Sequence, residues 1–222
     1  MIRETFSFEF VAASGEHVAV AWLRRRGWLV ALIGALVATL GDLGQLWAVN
    51  AGRPALLLIA PPNGVVVVAT LAGTLGIPLY AFGYYVRAHR ARDRAPRCAA
   101  VVASAGTVLA VLGGTVHAVT GAAVLNDVGG IASGLDPLQG VLASGPIVVA
   151  LWALAAVAFA CAAIGELCLP QAPLARVFNP AVLTVVLTAA APLAPSPWPD
   201  FVAPAALNIA HLIFFARLGV LD

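Results

Sequence analysis

The chain has 222 residues, 62% of them hydrophobic and only 10% charged, with a mean hydropathy of +0.98 and a formal net charge of +2. Soluble globular domains carry about 25% charged residues, so this composition excludes an ordinary water-facing surface, and the small net charge gives no electrostatic footprint for nucleic acid. All twelve basic residues are arginine, which excludes a lysine Schiff base and with it a retinal pigment.

Residues 1–27 read as a mixed N-terminal segment ahead of a transmembrane domain spanning 28–222. Phe6, Phe8 and Phe10 alternate as in a short strand, while His17 to Leu23 suit an interfacial helix. Trp28 to Val49 is apolar and long enough to cross a bilayer, which takes about 20 residues. Its core is too long for a signal peptide and contains Asp42, so it is expected to be retained as helix one. A charged carboxylate at the centre of a span costs about 2.5–3.5 kcal/mol on insertion scales, so Asp42 requires a partner, water or a proton.

Helix two is expected from about Asn63 to Val86, opened by Pro61 and Pro62. Gly73 and Gly76 give it a smooth face for close helix approach, and Pro78 predicts a kink. Tyr80 and Tyr84 follow, and then a solvated, arginine-rich loop from Arg87 to Arg97. Helix three, about Ala99 to Leu125, carries His117, and the glycine-rich run 126–140 reads as a loop. Helix four, about Val141 to Leu169, has Glu166 near its end, where pairing with an arginine at headgroup level is expected. Helix five, about Phe178 to Ala191, is short. The proline-rich connection from Pro192 to Pro204 is not expected to be ordinary helix. Helix six, about Phe201 to Leu218, holds Asn208 and His211.

The expected fold is therefore all-α: a polytopic bundle of six transmembrane helices. Placing both termini in the cytoplasm puts eleven arginines inside and leaves Arg53 alone outside. A bacterial inner membrane is the expected location. Cys98, Cys161 and Cys168 have no CxxC spacing, and their odd number fits free thiols.

Depth follows from a rise of about 1.5 Å per residue. Asp42 lies roughly 10 Å from the outer end of helix one, and His117 at a comparable depth in helix three. Asn208 falls in the outer half of helix six, and His211 near the midplane, on the same face by their i, i+3 spacing. Asn63 and Asp200 mark the outer mouth. Costly polar groups from three helices thus gather at similar depth.

Such groups serve either as hydrogen-bonding glue between helices or as a working site. The expected function is a membrane enzyme doing acid–base chemistry on a hydrophobic lipid or isoprenoid: protonation, isomerisation or cyclisation in an outer-half polar pocket. Asp42, His117, His211 and Asn208 are the candidate catalytic residues. Gln45, Trp47, Asn63, Tyr80, Tyr84 and Asp200 are the candidate substrate-binding residues. One alternative is a non-catalytic lipid or cofactor binder. Another is a metal-dependent lipid hydrolase, with Asp42, His117 and His211 as a three-ligand zinc set. No resident cofactor is part of the leading reading. Its partners are membrane lipid and a hydrophobic small molecule, with a homo-oligomer left open. The unequal depths of His117 and His211 argue against a shared haem, and the halves show no inverted repeat of the kind transporters use.

Gly41-Asp42, the run from Gly73 to Tyr85, Gly113 to His117, Phe178-Asn179-Pro180, and Asn208, His211, Phe214 and Phe215 together resemble an uncharacterised family of bacterial six-helix membrane proteins. The resemblance implies six helices in one domain and carries no assigned activity.

Overall fold

The computed structural model describes residues 8–51, 61–128, 145–170 and 173–220, and these fold into an all-helical bundle. Five helices are long and apolar enough to cross a membrane. That is the form expected where backbone polar groups must be satisfied inside their own segment.

Helix α1 runs Phe8–Asn50 without a break. No proline interrupts it, so the N-terminal segment continues directly into the first span, and Phe8 and Phe10 are helical rather than extended. Phe6 lies outside the described residues. Helices α2 (Asn63–Gly76) and α3 (Tyr80–Ala91) are joined by a 3-10 turn over Ile77–Leu79. Pro78 has no N–H to continue the α-helical ladder, and the kink it imposes packs onto Gly114. Helix α4 is Pro96–Val128, so the first residues of the expected glycine-rich loop are still helical; the rest of that loop lies outside the described residues. Helix α5 is Pro146–Cys168 and begins on its proline, where a missing N–H loses no bond. A short helix α6 (Pro173–Arg176) precedes α7 (Pro180–Ala190).

Helix α8 (Pro199–Val220) corrects the reading of the proline-rich connection. Pro199 occupies its first position, where proline is tolerated. Pro204 removes only one ladder bond, to the carbonyl of Asp200. That carbonyl instead accepts from Asn50 Nδ2 at 3.5 Å, which ties α8 to the end of α1.

A glycine seam holds α1 against the kinked α2–α3 rod. A side chain at Gly27 would put its Cβ 2.8 Å from Val86 Cγ2, and one at Gly41 would put it 2.7 Å from the Ala69 carbonyl oxygen. Between them, Gly34 abuts Gly76 and Leu79. The seven-residue spacing keeps these positions on one seam, as in a heptad contact, and small residues let the backbones approach. Ala31, Ala35 and Ala38 fill the same buried face of α1. The seam is antiparallel, whereas α8 runs parallel to α3: Asn208 meets Tyr80, His211 meets Tyr84 and the Leu218 carbonyl meets Arg90. The start of α1 and the end of α8 therefore lie at the same, arginine-rich end of the bundle. Helix α7 and its following 3-10 turn, Ala191–Leu193, carry the chain back from that end over a length too short for an ordinary span.

Candidate functional site

Five helices deliver polar side chains to one buried network. Asp42 of α1 is its hub. Asn208 Nδ2 donates to Asp42 Oδ2 at 2.7 Å, and His117 Nδ1 lies 3.3 Å from Asp42 Oδ1. Tyr80 donates its hydroxyl to Asn208 Oδ1 at 2.7 Å, which fixes the amide with its NH₂ toward Asp42. Asp42 Oδ2 accepts from the amide, and Oδ1 faces the imidazole at ion-pair distance. Asp42 keeps 17% of its side chain exposed, against 6% for His117.

The imidazole of His117 is inserted between α1 and α2. Its Nε2 lies 3.1 Å from Gln45 Nε2 and 3.3 Å from the Ala69 carbonyl oxygen. Gln45 Nε2 also donates to Thr70 Oγ1 at 3.2 Å, and Thr70 donates to the Val66 carbonyl at 2.8 Å. The room for the ring comes from Gly73, where a Cβ would meet His117 Nε2, Cδ2 and Cε1. With Nδ1 facing the Asp42 carboxyl, Nε2 of a neutral ring accepts from the Gln45 amide. When Nε2 carries a proton, the Ala69 carbonyl is placed to accept it and Asp42 balances the charge. Nε2 of His117 thus has one donor and one acceptor within 3.3 Å.

His211 belongs to a second cluster one turn along α8. Its Nδ1 lies 2.8 Å from the Leu207 carbonyl, which can only accept, so Nδ1 carries the hydrogen. Its Nε2 is 2.8 Å from the Tyr84 hydroxyl, which donates to the neutral ring. The ring stacks on Tyr80, with centroids 4.6 Å apart and planes at 22°. Phe215 packs edge-on against both Tyr80 and Tyr84. Both His211 nitrogens are thus committed away from Asp42, and the residue meets the Asp42 network through the ring of Tyr80. Among the described residues no three His, Cys, Asp or Glu side chains converge as a metal-binding group.

The structure therefore brings Asp42, His117, Asn208, Gln45 and Tyr80 together and places His211 and Tyr84 beside them. Trp47 is more than a third exposed on α1, and Asp200 lies in the first turn of α8, joined to Asn50 through its backbone. Asn63 opens α2, and its side chain lies outside the described residues. The sequence gives Gly73 only a helix-packing role and points to no site role for Thr70. The signal for Gly73 was present, because a glycine on a polar helix face leaves room for a partner's side chain.

Glu166 pairs with an arginine, as expected, and the pair is buried inside the bundle. Glu166 is 1% exposed, and both its oxygens accept from Arg87 Nε, at 2.7 and 3.0 Å. Arg87 lies on the inward face of α3 with Tyr80 and Tyr84, at i+7 and i+3. Nearby, Asn179 caps α7 by accepting from Ala181 N at 2.9 Å and anchors it to α5 by donating to the Ala163 carbonyl at 2.9 Å.

Fold and network together define an all-helical protein with several membrane-length helices and an internal carboxylate–imidazole pair. No family model, curated protein or solved structure matches the chain.

Proposed function

We propose that this chain is a membrane-embedded enzyme that performs acid–base chemistry on a hydrophobic lipid or isoprenoid. In this reading His117 carries the proton, and Asp42 orients the ring and balances its charge. The observation that carries it is the environment of His117 Nε2, which offers a donor, Gln45, and an acceptor, the Ala69 carbonyl, within 3.3 Å. A group provisioned for both charge states suits a proton acceptor that must also return its proton. Removing a proton from one carbon and delivering it to another is an isomerisation, and it needs no co-reactant. Tyr80 and Asn208 hold Asp42 in place, and His211 supports Tyr80 by stacking.

The same reading places the arginine-rich end in the cytoplasm of a bacterial inner membrane, with both termini inside and α7 as a short sixth crossing. The even-numbered return of the chain and the positive-inside rule support it. A non-catalytic lipid binder is the second reading. It is favoured by the closure of the network: among the described residues no buried side-chain nitrogen or oxygen lacks a hydrogen-bond partner.

Solvent deuterium tests the choice without a known substrate. Wild-type protein incubated in D₂O with a bacterial lipid extract is expected to introduce carbon-bound deuterium into a discrete lipid species, read by mass spectrometry. Asp42→Asn and His117→Gln are each expected to slow this by about 10²–10⁴-fold while the protein still inserts and purifies. A folded Asp42→Asn protein that labels lipid as fast as wild type would sink the acid–base reading. A wild-type protein that labels none would leave the binder.

A further inference from the structure

The polar network has an apolar counterpart on the other side of the same helix pair. A crevice of about 250 Å³ runs between α1 and α2 on the outside of the bundle, lined by Leu40, Gly44, Val68, Ala69 and Ala72 among others, all of them apolar. It opens outward, since Leu40 and Val68 are 57% and 66% exposed. Its floor is made of the smallest residues available. Gly44 lies so close to Ala69 that a Cβ there would sit 2.6 Å from the Ala69 Cβ.

The position of this floor gives the crevice its meaning. His117 enters the α1–α2 gap from the α4 side, and its Nε2 stops at Gln45, the Ala69 carbonyl and Gly73. Gln45 is next to Gly44 in the chain, Gly73 is next to Ala72, and Ala69 is shared. The imidazole and the crevice thus face each other across one seam that carries almost no side chain. We infer that this seam is a lateral access for the substrate, and that the crevice holds a single hydrocarbon chain of a membrane lipid beside the Asp42–His117 pair. The inference rests on the acid–base reading for what happens next, but not for the binding itself. The chemistry selects the occupant: a wholly apolar slot at the depth of the bilayer interior recognises a polymethylene or isoprenyl chain and offers nothing to a headgroup. Glycine and alanine at the floor also let α1 and α2 part there without first withdrawing interlocked side chains.

The test is photolabelling of the full-length protein in phosphatidylcholine vesicles containing a phosphatidylcholine with a mid-chain diazirine, with adducts mapped by mass spectrometry. Peptides holding Leu40 and Val68 are expected to be labelled about tenfold more than those holding Val157 and Ile164 of α5, which are equally exposed apolar positions; that ratio corresponds to about 1.4 kcal/mol of preference. Ala72→Phe, or Val68→Trp if the first does not fold, is expected to bring the labelling down to the α5 level. Asp42→Asn is expected to leave it unchanged, because the crevice does not include Asp42. Equal labelling of the two faces, or labelling that survives a filled crevice, overturns the proposal. Preferred labelling without deuterium transfer would keep the chain site and remove the acid–base chemistry, whereas deuterium transfer without preferred labelling would do the reverse.

Discussion

Arg87→Met is expected to lower the stability of the protein by about 3–5 kcal/mol, and Glu166→Leu by a similar amount, while the double variant recovers most of the loss. Arg87 and Glu166 have side chains 9% and 1% exposed, with Nε 2.7 Å from the nearer oxygen. Taking two charges out of water costs several kcal/mol for each ion, and their mutual attraction offsets this only while both are present. Removing one partner strands the other in low dielectric; removing both leaves an apolar contact of similar volume. A double-mutant cycle on reversible unfolding in mixed micelles measures the coupling directly. Single losses that simply add in the double variant would show that the pair is not a unit. The consequence reaches the site as well. Helix α3 presents Tyr80, Tyr84 and Arg87 on one buried face, so the ion pair to α5 sets the rotation of α3. That rotation in turn aims Tyr80 at Asn208. The single variants are therefore also expected to slow the Asp42–His117 chemistry, although neither residue touches that pair.

The membrane-length helices were legible because hydropathy and proline spacing report them directly. So was the meeting of Asp42, His117 and Asn208, since depth can be counted along a helix from its ends. Depth does not say which way a side chain faces. That is why the Tyr80–Asn208 and Tyr84–His211 bonds, and the commitment of His211 away from Asp42, had to come from the fold. That Glu166 pairs with an arginine is legible in the sequence, but not that this arginine stands 79 residues earlier on another helix. The long α1 was obscured by its arginines, which mark where a helix leaves the membrane rather than where it ends. The start of α8 is obscured if each proline is treated as a breaker, although Pro199 at the first position has no intrahelical acceptor to lose and Pro204 loses only one. The recurrence of Gly27, Gly34 and Gly41 at intervals of seven is readable, and it specifies a close contact of α1 with the α2–α3 rod.

Gly73→Ala separates packing from chemistry at the site itself. Helix propensity alone favours alanine over glycine by up to about 1 kcal/mol, and Gly64→Ala, with nothing within 4 Å of its Cβ, is expected to be neutral or mildly stabilising. At Gly73 the new methyl would occupy the space of the His117 imidazole, so the expected sign reverses, to a loss of about 1–3 kcal/mol from overpacking. The ring cannot easily retreat with its helix, because Gly113 and Gly114 already pack α4 onto Ile77 and Pro78. It must swing instead, breaking the 3.3 Å contact with Asp42 and the 3.1 Å contact with Gln45. Misplacing a proton carrier by about 1 Å costs on the order of 10²-fold in rate, so deuterium transfer to lipid should fall at least that far. The double variant Gly73→Ala, His117→Ala distinguishes the two effects. Emptying the ring's space is expected to restore stability relative to Gly73→Ala alone, measured by the unfolding midpoint, without restoring any transfer. If Gly73→Ala is as stable and as active as wild type, His117 does not stand between α1 and α2, and it loses the two-sided environment that qualifies it as the proton carrier.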